Sequence, residues 1–204
     1  MKGDLYFMKV KKFLFALAVL FILAGTAFAD SRIEMIRWKC STCGKEFYTF
    51  KGDYTLDDLT FRDKKHQSDT LFKLSNRNRN LDSCRHSQAH KFRRERDRSY
   101  RISELSRMLD KIVAVRYGDS LRANLIEWRC ELCKKTFYSL GDNLNIKRSD
   151  RQHDKILSLE SRHSIPRCSD RNNHNAHVFK KRRSDHARSW EIAGLLDDIY
   201  WVKD

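Results

Sequence analysis

The sequence predicts an α+β fold made of two tandem copies of one small module, each a short β-hairpin that carries a Cys-x-x-Cys pair and is closed by an α-helix. Three observations predict it. Ile36 to Tyr48 reads IRWKCSTCGKEFY and Ile126 to Tyr138 reads IEWRCELCKKTFY, with tryptophan, both cysteines, a lysine, phenylalanine and tyrosine in register. Past a variable middle the match resumes, pairing Cys84 with Cys168, Ala89-His90-Lys91-Phe92 with Ala176-His177-Val178-Phe179, Arg98-Ser99 with Arg188-Ser189, and Leu109-Asp110-Lys111-Ile112 with Leu196-Asp197-Asp198-Ile199. Apolar residues alternate ahead of the cysteines and recur at helical spacing at the end of each copy. A match spread over about eighty residues marks a folded unit rather than a short linear motif, and what it keeps is a set of thiols and imidazoles.

Taken in order, residues 1–29 read as a secretory signal peptide. Lys9, Lys11 and Lys12 make a basic start, Phe13 to Phe28 an almost purely apolar run, and Ala27-Phe28-Ala29 a small-residue cleavage signal ahead of Asp30. The run is shorter than the ~20 residues of a membrane helix. The mature chain of about 175 residues is therefore expected to be exported, to a periplasm or the extracellular space, with no transmembrane segment of its own. Removing the leader takes away four lysines and one aspartate and lowers the net charge from +15 to +12. That surplus favours an anionic partner, whether nucleic acid, acidic glycan or lipid headgroup. Charge does not choose among them.

Module one spans residues 36–115 and module two residues 126–202, joined by 116–125, where Gly118-Asp119-Ser120 signals a turn. Ile36, Trp38 and Cys40 fall on one face of a strand, and Phe47 and Tyr48 follow the second cysteine, so the Cys-x-x-Cys pair is placed in the turn of a hairpin. The middle is polar, and Asn76-Arg77-Asn78-Arg79-Asn80 is expected to be a solvated loop. Ile102, Leu105, Met108, Leu109, Ile112 and Val113 recur at helical spacing, as do Ile192, Leu195, Leu196, Ile199 and Val202. Ser99 and Ser189 are candidate caps of these closing helices.

Six cysteines in an exported chain admit two schemes. Each module holds three, so disulfides inside a module strand one thiol, and a closed scheme needs a bridge between modules, most simply Cys84 to Cys168. Three thiolates and one histidine instead close a tetrahedral zinc site within each module. Zinc, two ions per chain, is the preferred scheme. The ligands are then Cys40, Cys43, Cys84 and His90 in module one, and Cys130, Cys133, Cys168 and His177 in module two. His174 is a reserve for His177, because Cys168 to His174 repeats the spacing of Cys84 to His90, whereas His177 shares the flanking alanine and phenylalanine.

The string Trp38-Lys-Cys-Ser-Thr-Cys-Gly-Lys-Glu-Phe47 resembles the knuckle of zinc ribbons and the opening half of a Cys2His2 zinc finger. The resemblance covers about a dozen residues of each module. It implies a left-handed backbone after the second cysteine, which suits Gly44; Lys134 stands there in module two.

Two further duplications stand outside the ligand set. Asp63-Lys-Lys-His66 aligns with Asp150-Arg-Gln-His153 and is most simply a surface helix face. A basic run follows each ligand histidine, Arg93 to Arg98 and Lys180 to Arg183, and lies just ahead of the closing helix; Lys180, Lys181, Arg182 and Arg183, free of alternating acids, are the better anion-binding candidates. These features favour a non-enzymatic binding protein with structural zinc, and no residue is assigned a catalytic role. The alternatives are a disulfide-stapled secreted protein, a Cys-x-x-Cys thiol oxidoreductase, and a zinc-dependent nuclease of the His-Asn-His type, which Asn172 to His177 resembles.

Overall fold

Along Arg32–Cys40, Ile33 and Met35 are buried on one side of the chain and Ile36, Trp38 and Cys40 on the other, and this double alternation makes a strand, β1, with two covered faces. The computed structural model describes residues 32–52, 58–87, 89–116, 121–141, 144, 151–170 and 176–203. The leader, Asp150, His174 and the whole Gly118-Asp119-Ser120 turn lie outside them. In repeat one, β2 (Glu46–Phe50) returns antiparallel to β1, while β3 is Asp58–Thr60 and β6 is Lys91–Arg101. The sheet order is β2-β1-β6-β3. Between them come α1 (Lys64–Thr70), β4 (Leu71–Lys73) and β5 (Asn76–Asn80); after them come α2 (Ile102–Arg107), a 3-10 turn (Leu109–Lys111) and β7 (Val113–Val115). The sheet β5-β4-β7 is the smaller of the two.

Repeat two rebuilds this plan. β8 (Arg122–Cys130), β9 (Thr136–Leu140) and β11 (Phe179–Arg188) form a sheet of order β11-β8-β9. α3 (Gln152–Lys155) leads into β10 (Ile156–Ser158), which pairs with β12 (Tyr200–Val202) after α4 (Ser189–Ala193) and a 3-10 turn (Leu196–Asp198). The registers agree closely: Cys40 faces Phe92 as Cys130 faces Phe179, and each long pair carries one irregularity, beside Trp38 and beside Trp128. β8 begins at Arg122, inside the stretch read from sequence as the joining segment.

The chain is mostly β, in curled antiparallel sheets, and this corrects the α+β expectation of knuckles closed by helices. Ile102 starts a helix that stops at Arg107; Ile112 and Val113 belong to a bridge and a strand. β-branched residues lose little in extended backbone, and Leu71↔Val115 and Lys73↔Val113 supply the ladder that a longer helix would forfeit. Spacing had merged two short elements into one long helix. The basic runs lie in the long strands β6 and β11, each of which leads directly into a short helix. Asn76–Asn80 is not a free loop, since it pairs with β4 through Phe72↔Asn80 and Lys73↔Asn76. The helices are capped by Glu104 and Glu191, whose carboxylates accept from the Arg101 and Arg188 N–H groups at 2.7 Å each. Strand register therefore matches Arg188 to Arg101, three residues from the Arg98 of the sequence alignment. Ser99 caps nothing, and buried Ser189 instead accepts from the Val115 N–H at 3.1 Å, tying repeat two to repeat one.

The two repeats share a core. Ile33, Met35, Phe50, Tyr100, Leu105 and Ile112 pack in one cluster with Leu125, Leu140, Leu159, Ile192, Leu196 and Ile199. A separate apolar cluster lies around the cysteines of repeat one, built on Trp38, Phe47 and Phe92, and another in repeat two, built on Phe137, Ile156 and Tyr200. Among the described residues no helix is long and apolar enough to cross a membrane.

Candidate metal centres

Each Cys-x-x-Cys pair sits where a hairpin turns. β1 ends at Cys40, and its turn is closed by Gly44 N–H donating to Cys40 O at 3.0 Å and Cys40 N–H to Lys45 O at 2.9 Å; Lys134 with Cys130 and Cys130 with Lys135 repeat both bonds at 3.0 and 2.9 Å. The turn needs a left-handed residue. Gly44 supplies it at φ 70°, and Lys134 takes the same conformation at φ 63°.

Into each turn the later block brings its own donors. One ligand atom from each of Cys40, Cys43, Cys84 and His90 lies within 4.8 Å of the others, and Cys130, Cys133, Cys168 and His177 form the second such group. In each group the two outer cysteines and the histidine are buried and the second Cys-x-x-Cys residue is half-buried. The six cysteines are unbonded. Cys84 and Cys168 lie in different groups, so the bridge that a closed disulfide scheme requires is not formed.

The histidines are oriented for ligation. His90 Nε2 is 2.8 Å from Asp82 O and His177 Nε2 is 2.7 Å from Pro166 O. A carbonyl only accepts, so Nε2 carries the proton and Nδ1 keeps its lone pair in the neutral ring. That Nδ1 points at sulfur, 3.4 Å from Cys43 Sγ in repeat one and 3.5 Å from Cys133 Sγ in repeat two. Burial lowers the His90 pKa and so favours the neutral ring that binds metal.

A buried glutamine holds each histidine from behind. The His90 N–H donates to Gln67 Oε1 at 2.7 Å, and the Gln67 amide reaches Asp82 O at 3.5 Å, the carbonyl that also receives His90 Nε2. The His177 N–H donates to Gln152 Oε1 at 2.6 Å and the Gln152 amide to His177 O at 2.8 Å. Sequence reasoning missed both glutamines. It had aligned their neighbours His66 and His153, which play unlike parts: His66 Nδ1 is 3.4 Å from the Arg62 N–H, whereas His153 Nδ1 is 2.9 Å from Ile165 O. The strands place Gln67 and Gln152 in register, each four residues ahead of its ladder, β4 or β10. A glutamine near each aligned histidine was the available signal.

The thiols respond to crowding. The Ser87 hydroxyl and the His86 N–H bring Cys84 down to about 7. Burial opposes ionisation of Cys130, but the Cys133 N–H and His177 bring it to about 6. Burial, with the neighbouring Cys133 and Cys130 thiols, pushes Cys168 up to about 11, and burial also raises Cys43. Each group thus ionises one sulfur readily and resists the next. A cation among the sulfurs reverses that resistance. The donor spacing fits one: sulfurs bound tetrahedrally at about 2.3 Å stand ~3.8 Å apart, and a ring nitrogen at about 2.0 Å stands ~3.5 Å from each. Cys130 Sγ to Cys168 Sγ is 3.8 Å, beside the two nitrogen–sulfur distances of 3.4 and 3.5 Å. Both groups can hold a metal ion.

Lys180, Lys181, Arg182 and Arg183 are exposed along β11, starting one residue after Phe179, which pairs with Cys130. Comparison with protein-family models, with curated proteins and with solved structures found no match to this chain.

Proposed function

We propose that the chain is an exported, non-enzymatic binding protein in which two Cys3His sites hold structural zinc and the basic strand β11 meets an anionic partner. One observation carries the zinc assignment: two groups of three sulfurs and one oriented Nδ1, each gathered within 4.8 Å, among which separations of 3.4, 3.5 and 3.8 Å match those about a tetrahedral ion. Thiolate-rich tetrahedral sites favour zinc over the hard divalent ions. Four protein donors occupy every position of such a site, leaving none for water or substrate, which favours a structural role. The hairpin setting speaks against thiol–disulfide exchange, whose Cys-x-x-Cys pairs open helices.

The order of charges along the chain supports β11 over β6 as the anion-binding strand, since Lys180 to Arg183 run without an acid whereas Glu95 and Asp97 alternate with the arginines of β6. On β6, Arg94 is held by Asp97 at 2.6 Å, and Glu95 lies 3.7 Å from Arg37 and 3.9 Å from Lys39. On β11, Lys180 is 3.6 Å from Glu131 and Arg183 is 2.5 Å from Glu127, acids that lie outside the run itself. Export rests on the leader.

Metal analysis of the purified mature protein tests the central claim. Two zinc ions per chain, with six titratable thiols after denaturing chelation, is the expected result. No zinc and no free thiol would overturn it. Recovery of the exported chain with Asp30 at its N-terminus checks the leader.

A further inference from the structure

The two long sheets differ in how they neutralise their own cations beside the Cys-x-x-Cys turn, on the face turned away from the metal donors. In repeat one, Glu46, Lys39 and Arg93 stand side by side on β2, β1 and β6. Lys39 and Arg93 are like charges directly opposed, which destabilises a sheet, and two acids brace them. Glu46 lies 3.9 Å from Lys39 and is paired with Arg37 at 2.5 Å. Glu95 is the extra residue at the irregularity between Arg94 and Arg96, and lies 3.9 Å from Lys39 and 3.7 Å from Arg37.

Repeat two keeps the like-charged pair and has neither brace. The same rung reads Thr136, Arg129 and Lys180 across β9, β8 and β11, and the extra residue of the irregularity is Arg182. All four are exposed. Arg129 donates from Nε to Lys134 O at 3.3 Å, which leaves its two NH2 groups. Among the described residues no carboxylate lies within ion-pair distance of Arg129 or Arg182, and the Thr136 hydroxyl makes no hydrogen bond. Of the acids nearby, Glu127 is held by Arg183 at 2.5 Å and Glu131 lies 3.6 Å from Lys180. Directly opposed cations with a hydroxyl on the next strand suit an oxyanion, which accepts several charge-assisted bonds at once.

We propose that the rung of Thr136, Arg129 and Lys180, with Arg182 two residues on, receives a sulfate group of a linear sulfated glycan. The proposal rests on the reading that β11 meets an anionic partner, and it adds to that strand Arg129 and Thr136 from its two neighbours. The rung runs across three strands and is not a helix or two-stranded ribbon of the kind that enters a DNA groove. Each of its side chains is polar, so it offers no ring to stack on bases and no apolar group to enter a bilayer. The exposed large hydrophobic of the described residues is Trp190, which belongs to α4.

Calorimetric titration of the purified mature chain with a heparin octasaccharide, and with a short DNA duplex at the same salt, tests it. The expected result is saturable binding of one octasaccharide per chain. Arg129→Gln should weaken it about threefold or more, the scale of one exposed charge contact. Thr136→Glu, which supplies the acid of repeat one, should weaken it further. Lys39→Gln removes the same charge at the equivalent place in repeat one and should leave the affinity unchanged. Equal losses in Arg129→Gln and Lys39→Gln would mean that binding follows net charge, and would overturn the rung. If replacing Lys180, Lys181, Arg182 and Arg183 with glutamine abolishes binding while Arg129→Gln does not weaken it, the anion-binding strand stands and the rung falls. A wild-type chain that binds no octasaccharide removes both. Tighter binding of the duplex than of the octasaccharide would overturn the assignment to a glycan.

Discussion

Repeat one and repeat two hold their histidines in the same grip, a buried glutamine on the backbone N–H and a carbonyl on Nε2. On the far face of the same strands they diverge freely, with Tyr100 against Ala187 and Arg98 against Asp185. The donors and the groups behind them are tolerant of little, because a ring turned by a few tens of degrees no longer aims its lone pair at the ion. A sheet surface has no such requirement. Duplication has kept what coordination geometry needs and released the rest.

The sharpest way to break the comparison is to remove one metal. Cys40→Ala should cost the first site its ion and Cys130→Ala the second, leaving one zinc per chain in each variant by metal analysis. Loss of both ions, or of neither, would count against two separate sites. Full chelation at neutral pH should collapse the near-ultraviolet signal of Trp38 and Trp128, since binding energy of a structural ion is folding energy. An unchanged spectrum after verified removal would show that the apolar clusters suffice alone.

Next in size comes the grip on the histidines. Gln67→Leu and Gln152→Leu each remove a buried acceptor from a histidine N–H, and each should weaken zinc at its own site by about 10–100-fold, the usual effect of losing a group that orients a ligand. Competition with a chromophoric chelator reads this directly. Equal affinities in wild type and variants would reduce the glutamines to filler.

The knuckle turns offer a smaller test. Gly44→Lys should cost roughly 1–2 kcal/mol of stability, the penalty for a side chain in left-handed backbone. A Cβ there meets nothing within 4 Å, so the cost is conformational alone. Lys134→Gly should stabilise, by less than the full conformational penalty, because glycine also gains freedom in the unfolded chain, and the same freedom offsets part of the cost of Gly44→Lys. Thermal unfolding of the two variants decides the sign of each.

The smallest effect is electrostatic. Replacing Lys180, Lys181, Arg182 and Arg183 with glutamine should leave zinc in place and flatten the salt dependence of polyanion binding, by up to about 0.9 in log–log slope per residue on duplex DNA. Equal retention of wild type and variant on heparin and on DNA would assign these residues to solubility.

The grouping of six cysteines with His90 and His177 was legible because a covalent pattern repeated over the whole module exposes its invariant chemistry. Much of the fold was not. Ile102 to Val113 fits helical spacing from end to end, and only the partner strand β4 reveals that its last residues are extended. Asn76–Asn80 carries no apolar alternation, so its pairing with β4 left no trace in the sequence. The glutamines were hidden by a shift in register: the sequence alignment of His66 with His153 displaces Gln67 from Gln152 by two residues, although both occupy one place in the fold.

The core shared by the repeats bears on how the chain could have come about. Leu105 and Ile112 of the first half, and Ile192 and Ile199 of the second, occupy one cluster. Each half taken alone would bare an apolar face made on the same plan as the face that now covers it. Such a face, presented by a single-copy ancestor, is the kind that closes a two-fold homodimer. Gene duplication would then have replaced a partnership that depended on concentration with one that does not, and freed one copy to lose Tyr100's counterpart without dissolving the pair.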